Sequence, residues 1–152
     1  MRRSPSLLCA SAALLALCIA TAAVRADALS TIKARIDLMK ADLQAARLGN
    51  DMIKGNAPFD LTKAKGVFAT FVNAAQKEPE LFPEDTKTGD GTTASPKIWE
   101  DMDAFKAAYV KFGSDASAAM KATTDLASFK DAFGGVVKNC GACHEKYRVK
   151  QG

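Results

Sequence analysis

The feature that most constrains this chain is a three-and-four spacing of apolar residues, repeated in four separate segments with no stretch of strict alternation to suggest a strand. The first segment runs from about Leu29 to Ile53 and puts Leu29, Ile32, Ile36, Met39, Leu43 and Ala46 on one stripe; Gly49, Asn50 and Gly55 weaken its end. The second runs from about Asp60 to Gln76 and carries Leu61, Ala64, Phe68, Phe71, Val72 and Ala75, with Asp60 able to cap its free N–H groups. The third opens at Ser95-Pro96, where Ser suits a cap and Pro the first helical position. Its stripe is Ile98, Met102, Phe105, Tyr109, Phe112, Ala116 and Ala119. The fourth begins near Thr124-Asp125 and carries Leu126, Phe129, Phe133, Val136, Val137, Cys140 and Tyr147, with Gly134-Gly135 as a soft spot. Between the second and third lies Lys77 to Ala94, broken by Pro79, Pro83, Gly89 and Gly91, which reads as an irregular crossover loop. Segments of about 15–25 residues make helices roughly 22–38 Å long. The expected fold is therefore all-α: an antiparallel four-helix bundle over residues 27–152.

Residues 1–26 read as a secretory signal and not as part of the bundle. Met1-Arg2-Arg3 is a basic start, Leu7 to Ala23 is an apolar and small-residue run, and Val24-Arg25-Ala26 offers a cut after Ala26, with Ala23 as second choice. A retained membrane anchor is the competing reading, but the run is near the lower length limit for spanning and no cluster of stop-transfer charges follows it. A lipoprotein cut fits poorly because Leu17 precedes Cys18. Export changes the composition argument. Cys9 and Cys18 leave with the signal, so two of the four Cys remain. Losing Arg2, Arg3 and Arg25 leaves 18 basic residues against 17 acidic, and the formal charge falls from +4 to +1. The basic balance belongs to the signal and gives no argument for nucleic-acid binding.

The two remaining Cys stand in Cys140-Gly141-Ala142-Cys143-His144, a C-x-x-C-H signature for attachment of haem c. Two thiols three residues apart share one helix face and can form thioethers with the two vinyl groups of one porphyrin edge, while the adjacent imidazole reaches the iron. A thioredoxin-like pair would sit at a helix start after a strand. A structural zinc site would need a fourth donor and a second cluster. A plain disulfide would leave the His unexplained. Export supports haem, because covalent attachment takes place outside the bacterial cytoplasm.

His144 is the only His, so two imidazoles from one chain cannot hold the iron. Met39, Met52, Met102 and Met120 are the thioether candidates. Met39 is preferred on pattern, mid-helix on the first stripe; the alternative is that it fills the core, as Met commonly does.

The chain resembles the class II c-type cytochromes, the cytochrome c prime family, and within them the six-coordinate low-spin branch. Cys140-x-x-Cys143-His144-x-x-Tyr147-Arg148 matches the family's ending, Arg35-x-x-x-Met39 its first helix, and Leu81-Phe82-Pro83 with Ser95-Pro96-Lys97-Ile98-Trp99 its loop and third-helix opening. The resemblance covers essentially all of residues 27–152. It implies a single covalent haem c and puts Met39 over the distal iron face. A Met at that position also occurs in some high-spin members, so residue type leaves coordination open. The resemblance puts Arg35 near a haem propionate, with a solvated surface Arg as the alternative; Arg148, four residues after His144, could approach a propionate or the porphyrin edge, with the same alternative. Trp99, Phe105, Phe129 and Phe133 are expected to pack on the ring or in the core. Lys138, Lys146 and Lys150 could form a docking rim or a solvated face, the latter preferred.

The expected function is an exported, periplasmic one-electron carrier with iron held by His144 and Met39, working between redox partner proteins, without nucleic acid and without a membrane anchor in the mature form. The alternative is a five-coordinate cytochrome c prime-like protein that binds nitric oxide or carbon monoxide. A peroxidase is disfavoured because the sequence offers no evident distal acid–base group. Pairing through the first two helices would follow from the family by analogy.

Overall fold

A computed structural model describes residues 6–89 and 91–149, with side chains from residue 26 onward. Five helices follow one another: α1 Ser6–Lys54, α2 Leu61–Lys77, the single turn α3 Lys97–Glu100, α4 Met102–Ala122 and α5 Leu126–Tyr147. Four of them, α1, α2, α4 and α5, form the antiparallel bundle. The α2–α4 and α1–α2 pairs have the broadest contacts, α4 packs on α5, and α5 closes on α1.

Each boundary has a local cause. Asp60 accepts from the Lys63 N–H and opens α2. Asp125 and Ser128 form a reciprocal capping box that opens α5. At the end of α1, Gly55 takes φ 76°, and the Asn56 N–H bonds back to Asp51 O at 2.9 Å.

Three sequence expectations change. The first helix does not start near Leu29 but continues back to Ser6, because the intervening Ala- and Leu-rich run is strongly helix-forming. The third helix breaks at Asp101, whose non-helical backbone ends α3 and whose carboxylate caps α4 through the Ala104 N–H at 3.0 Å. The crossover is not featureless: 3₁₀ turns occupy Glu78–Leu81 and Glu84–Thr86. The side chains of Cys9 and Cys18, and all of Lys150, lie outside the described residues.

The core is aromatic. Phe68, Phe71, Phe105 and Phe129 are fully buried, and Phe68 meets Phe129 edge-on at 5.4 Å between centroids. α1 continues through Gly49-Asn50 and ends before Gly55, as expected, while α5 continues unbroken through Gly134-Gly135. No helix among the described residues is long and apolar enough to cross a membrane.

The inward line of α1 differs from the apolar stripe. Leu29 and Leu43 are 48% and 50% exposed, whereas Ile32, Arg35, Gly49 and Met52 are buried. A strict three-and-four stripe averages 3.5 residues per turn and drifts around a helix of 3.6. Burial therefore passes through Arg35, a polar position that the apolar pattern does not mark.

Candidate haem site

Cys140, Cys143 and His144 sit in the penultimate turns of α5, where the helical path places the two sulfurs on one face. Both thiols are half-buried and free, and Cys143 packs against the aromatic core. Burial, reinforced by the charge of Asp42, raises the Cys140 thiol above its ordinary range. Burial, then Glu78, then Cys140 push Cys143 up to about 11. Both groups therefore stay S–H at neutral pH. That argues against a low-pKa redox pair and suits addition of S–H across a vinyl group. Burial, and secondarily Arg148, lower the pKa of His144. The imidazole is accordingly neutral, with a lone pair available to a metal.

The methionines beyond residue 26 divide clearly. Met52 is 1% exposed in the core, and Met102 and Met120 pack against it, while Met39 is half-buried and belongs to neither group. Asp42 lies one helical step from Met39, on the same face, and acts electrostatically on Cys140.

Arg35 is 4% exposed and is engaged by the crossover loop. Its guanidinium donates to Leu81 O at 3.1 Å, Thr86 Oγ1 at 3.0 Å, Thr86 O at 3.0 Å and Thr92 Oγ1 at 2.6 Å. It also lies 4.6 Å from the Phe82 ring centroid. Four of its five N–H donors are used, and the remaining one is Nε–H. No carboxylate among the described residues pairs with this buried cation, which leaves its charge available to an anionic group. The Arg148 side chain is exposed. Its role in the fold is through the backbone: the Ala94–Arg148 bridge, with Ser95 N–H to Tyr147 O and Val149 N–H to Thr93 O, ties the crossover loop to the end of α5.

Phe105, Phe129 and Phe133 are core residues; Trp99 is half-buried and donates from Nε1 to Phe82 O at 2.9 Å. Lys138 and Lys146 are exposed, and Lys146 lies over the Tyr147 ring.

Two residues of this region escaped sequence reading. Glu78 is fully buried, and Tyr109 Oη donates to its Oε2 at 2.6 Å. Asp42 has a buried Oδ1 without a hydrogen-bond partner, as does Oε1 of Glu78. The line Ile32, Arg35, Met39, Asp42 has inward spacing, and following it through its polar members would have found Asp42. No comparable signal marked Glu78, which sits where α2 gives way to the crossover.

Two thiols kept as thiols, a neutral imidazole beside them and a buried cation without a carboxylate partner fit a covalently held porphyrin bearing propionates. A bundle with that motif at the end of its last helix defines a class II c-type cytochrome. A family profile described as Cytochrome C' matches residues 30–148, and the chain belongs to that family of haem proteins, whose cofactor is one covalent haem c. Cytochrome c' of Rhodopseudomonas palustris is 42% identical over 100 residues, which are 66% of this chain and 68% of that protein. Cytochrome c-556 of Agrobacterium fabrum is 38% identical over 99 residues, 64% and 66% of the two chains. Among solved structures, Rhodopseudomonas palustris cytochrome c' superposes with a TM-score of 0.77 at 38% identity, covering 80% of this chain and 98% of that one.

Proposed function

We propose that this chain is an exported one-electron carrier whose iron is held by His144 and Met39. When bound, the haem supplies an iron that gains and loses a single electron. The protein's part is to hold that centre still. Cys140 and Cys143 would fix the ring edge through thioethers, and the neutral His144 imidazole would take one axial position. Met39 would take the other; a thioether there favours the reduced iron and raises the potential. With both His144 and Met39 as donors the centre would stay rigid between oxidation states, so transfer would need little rearrangement. Arg35 has one N–H free for a propionate, and the exposed Arg148 is placed to approach one from the end of α5.

The observation that carries this reading is the position of Met39: half-buried, outside the aromatic core, and one helical step before Asp42, whose charge reaches Cys140. Residues 1–26 would direct the chain to the periplasm and be removed. Pairing of two copies would use α1 and α2, where an apolar groove is lined by Ala34, Leu38 and Leu81. Absorption spectra of the oxidised and reduced protein test the proposal. Low-spin bands with a far-red sulfur-to-iron band, lost in Met39→Ala, are expected. A high-spin spectrum in the unaltered protein would overturn Met39 ligation and favour a binder of nitric oxide or carbon monoxide.

A further inference from the structure

The carrier reading leaves two acidic groups in the bundle interior without a task. Glu78 is 0% exposed; the only hydrogen bond to its carboxylate among the described residues is the one from Tyr109, and its Oε1 has none. No Lys or Arg among the described residues forms an ion pair with it. An ionised carboxylate with one neutral donor is poorly compensated inside a protein. Asp42 repeats the situation on α1: its Oδ1 is buried and unpartnered, while the residue as a whole is only half-buried. Both groups act on the thiols that would hold the haem, Asp42 and Glu78 on Cys140 and Glu78 on Cys143.

We propose that Glu78 and Asp42 form a redox-linked proton site: the pair takes up a proton from solvent when the haem iron gains its electron, and releases it when the electron leaves. The proposal rests on the haem reading above. In the step, the one-electron donor protein is oxidised, Fe(III) becomes Fe(II), and a carboxylate of the pair becomes a carboxylic acid. The physical cause would be loss of one positive charge from the iron porphyrin that Cys140 and Cys143 would hold, which raises the proton affinity of a nearby carboxylate in a low-dielectric interior. Asp42 supplies access, and Glu78, held by Tyr109, supplies the buried acceptor.

The surrounding groups leave the pair in control. From α1, Asp42 and Arg35 are present, and Arg35 spends four of its five N–H donors on the crossover loop and none on either carboxylate. From α4 comes Tyr109, whose ionisation is driven far upward by burial and then by Glu78, so it stays a donor. From α5 come Cys140 and Cys143, which no longer titrate once they are thioethers. Lys77, at the end of α2, is exposed. Burial pushes Glu78 up to about 8, opposed by the Tyr109 hydrogen bond and reinforced by Asp42; burial alone pushes Asp42 up to about 7. Both therefore lie where a small change in nearby charge alters protonation.

The test is potentiometry of the haem-loaded protein between about pH 6 and pH 9, with proton uptake followed by an indicator dye during reduction. The midpoint potential is expected to fall as pH rises, with a substantial fraction of one proton taken up per electron. Glu78→Gln, which keeps an acceptor for Tyr109, should remove most of that slope and uptake, and Asp42→Asn should reduce it. Infrared difference spectra of the unaltered protein, reduced minus oxidised, should show a protonated carboxyl band. A flat potential in the unaltered protein, or an unchanged slope in both variants, would overturn the proposal and assign these carboxyls a packing role. Low-spin spectra with a flat potential would sink the proton site alone. Absence of covalent haem would sink the carrier reading and this one with it.

Discussion

Gly49 of α1 lies so close to the Phe133 ring of α5 that a Cβ built on it would stand 2.5 Å from Cε2. This contact explains why a glycine that looks like a helix breaker sits inside a continuous helix: its missing side chain is what lets α1 approach the helix that carries the haem motif. Phe133 is 3% exposed and cannot move aside freely. Gly49→Ala should therefore destabilise the protein by about 1–3 kcal/mol despite alanine's better helix propensity. Urea denaturation of the two proteins checks the sign; equal or greater stability in the variant would contradict the packing argument.

Arg35 organises the crossover. Arg35→Lys keeps the charge but cannot reproduce four donors spread over Leu81, Thr86 and Thr92. A loss of about 2–3 kcal/mol is expected, because hydrogen bonds to a charged group are broken at a buried site. Limited proteolysis should show earlier cutting within residues 81–92 in the variant, with the helices cut no faster.

The pH dependence of stability has a definite sign. Glu78 has a folded pKa of about 8 against an ordinary 4.5, so the native state holds a proton that the unfolded chain has released. Its contribution is full below about pH 4.5 and is lost as pH rises through 8. Asp42 acts the same way between 3.8 and about 7. Denaturant midpoints should fall from acid toward alkaline pH over that window. Glu78→Gln should flatten the curve by an amount on the order of 1–3 kcal/mol.

Covalent attachment is checked by mass. Protein matured with a haem-ligating system should carry the added mass of one haem. Cys140→Ser with Cys143→Ser should not, and its haem should come away in acid acetone. Retained haem in the double variant would contradict thioether attachment.

The apolar periodicity, the caps Asp60 and Asp125 and the haem motif could all be read along the chain, because helix phase, N-terminal capping and ligand spacing are local properties. Those signals determined a four-helix bundle and located Cys140, Cys143 and His144. The phase of α1 was less legible: its true inward line includes Arg35, whose burial is made possible by acceptors 46 to 57 residues away in the loop. Only the tertiary structure decided that Gly49 is a close-packing site, that Met39 lies outside the core that takes Met52, Met102 and Met120, and that Glu78 is buried against Tyr109. Each depends on which side chain from another helix fills or vacates a space, and the order of residues along one helix does not contain that information.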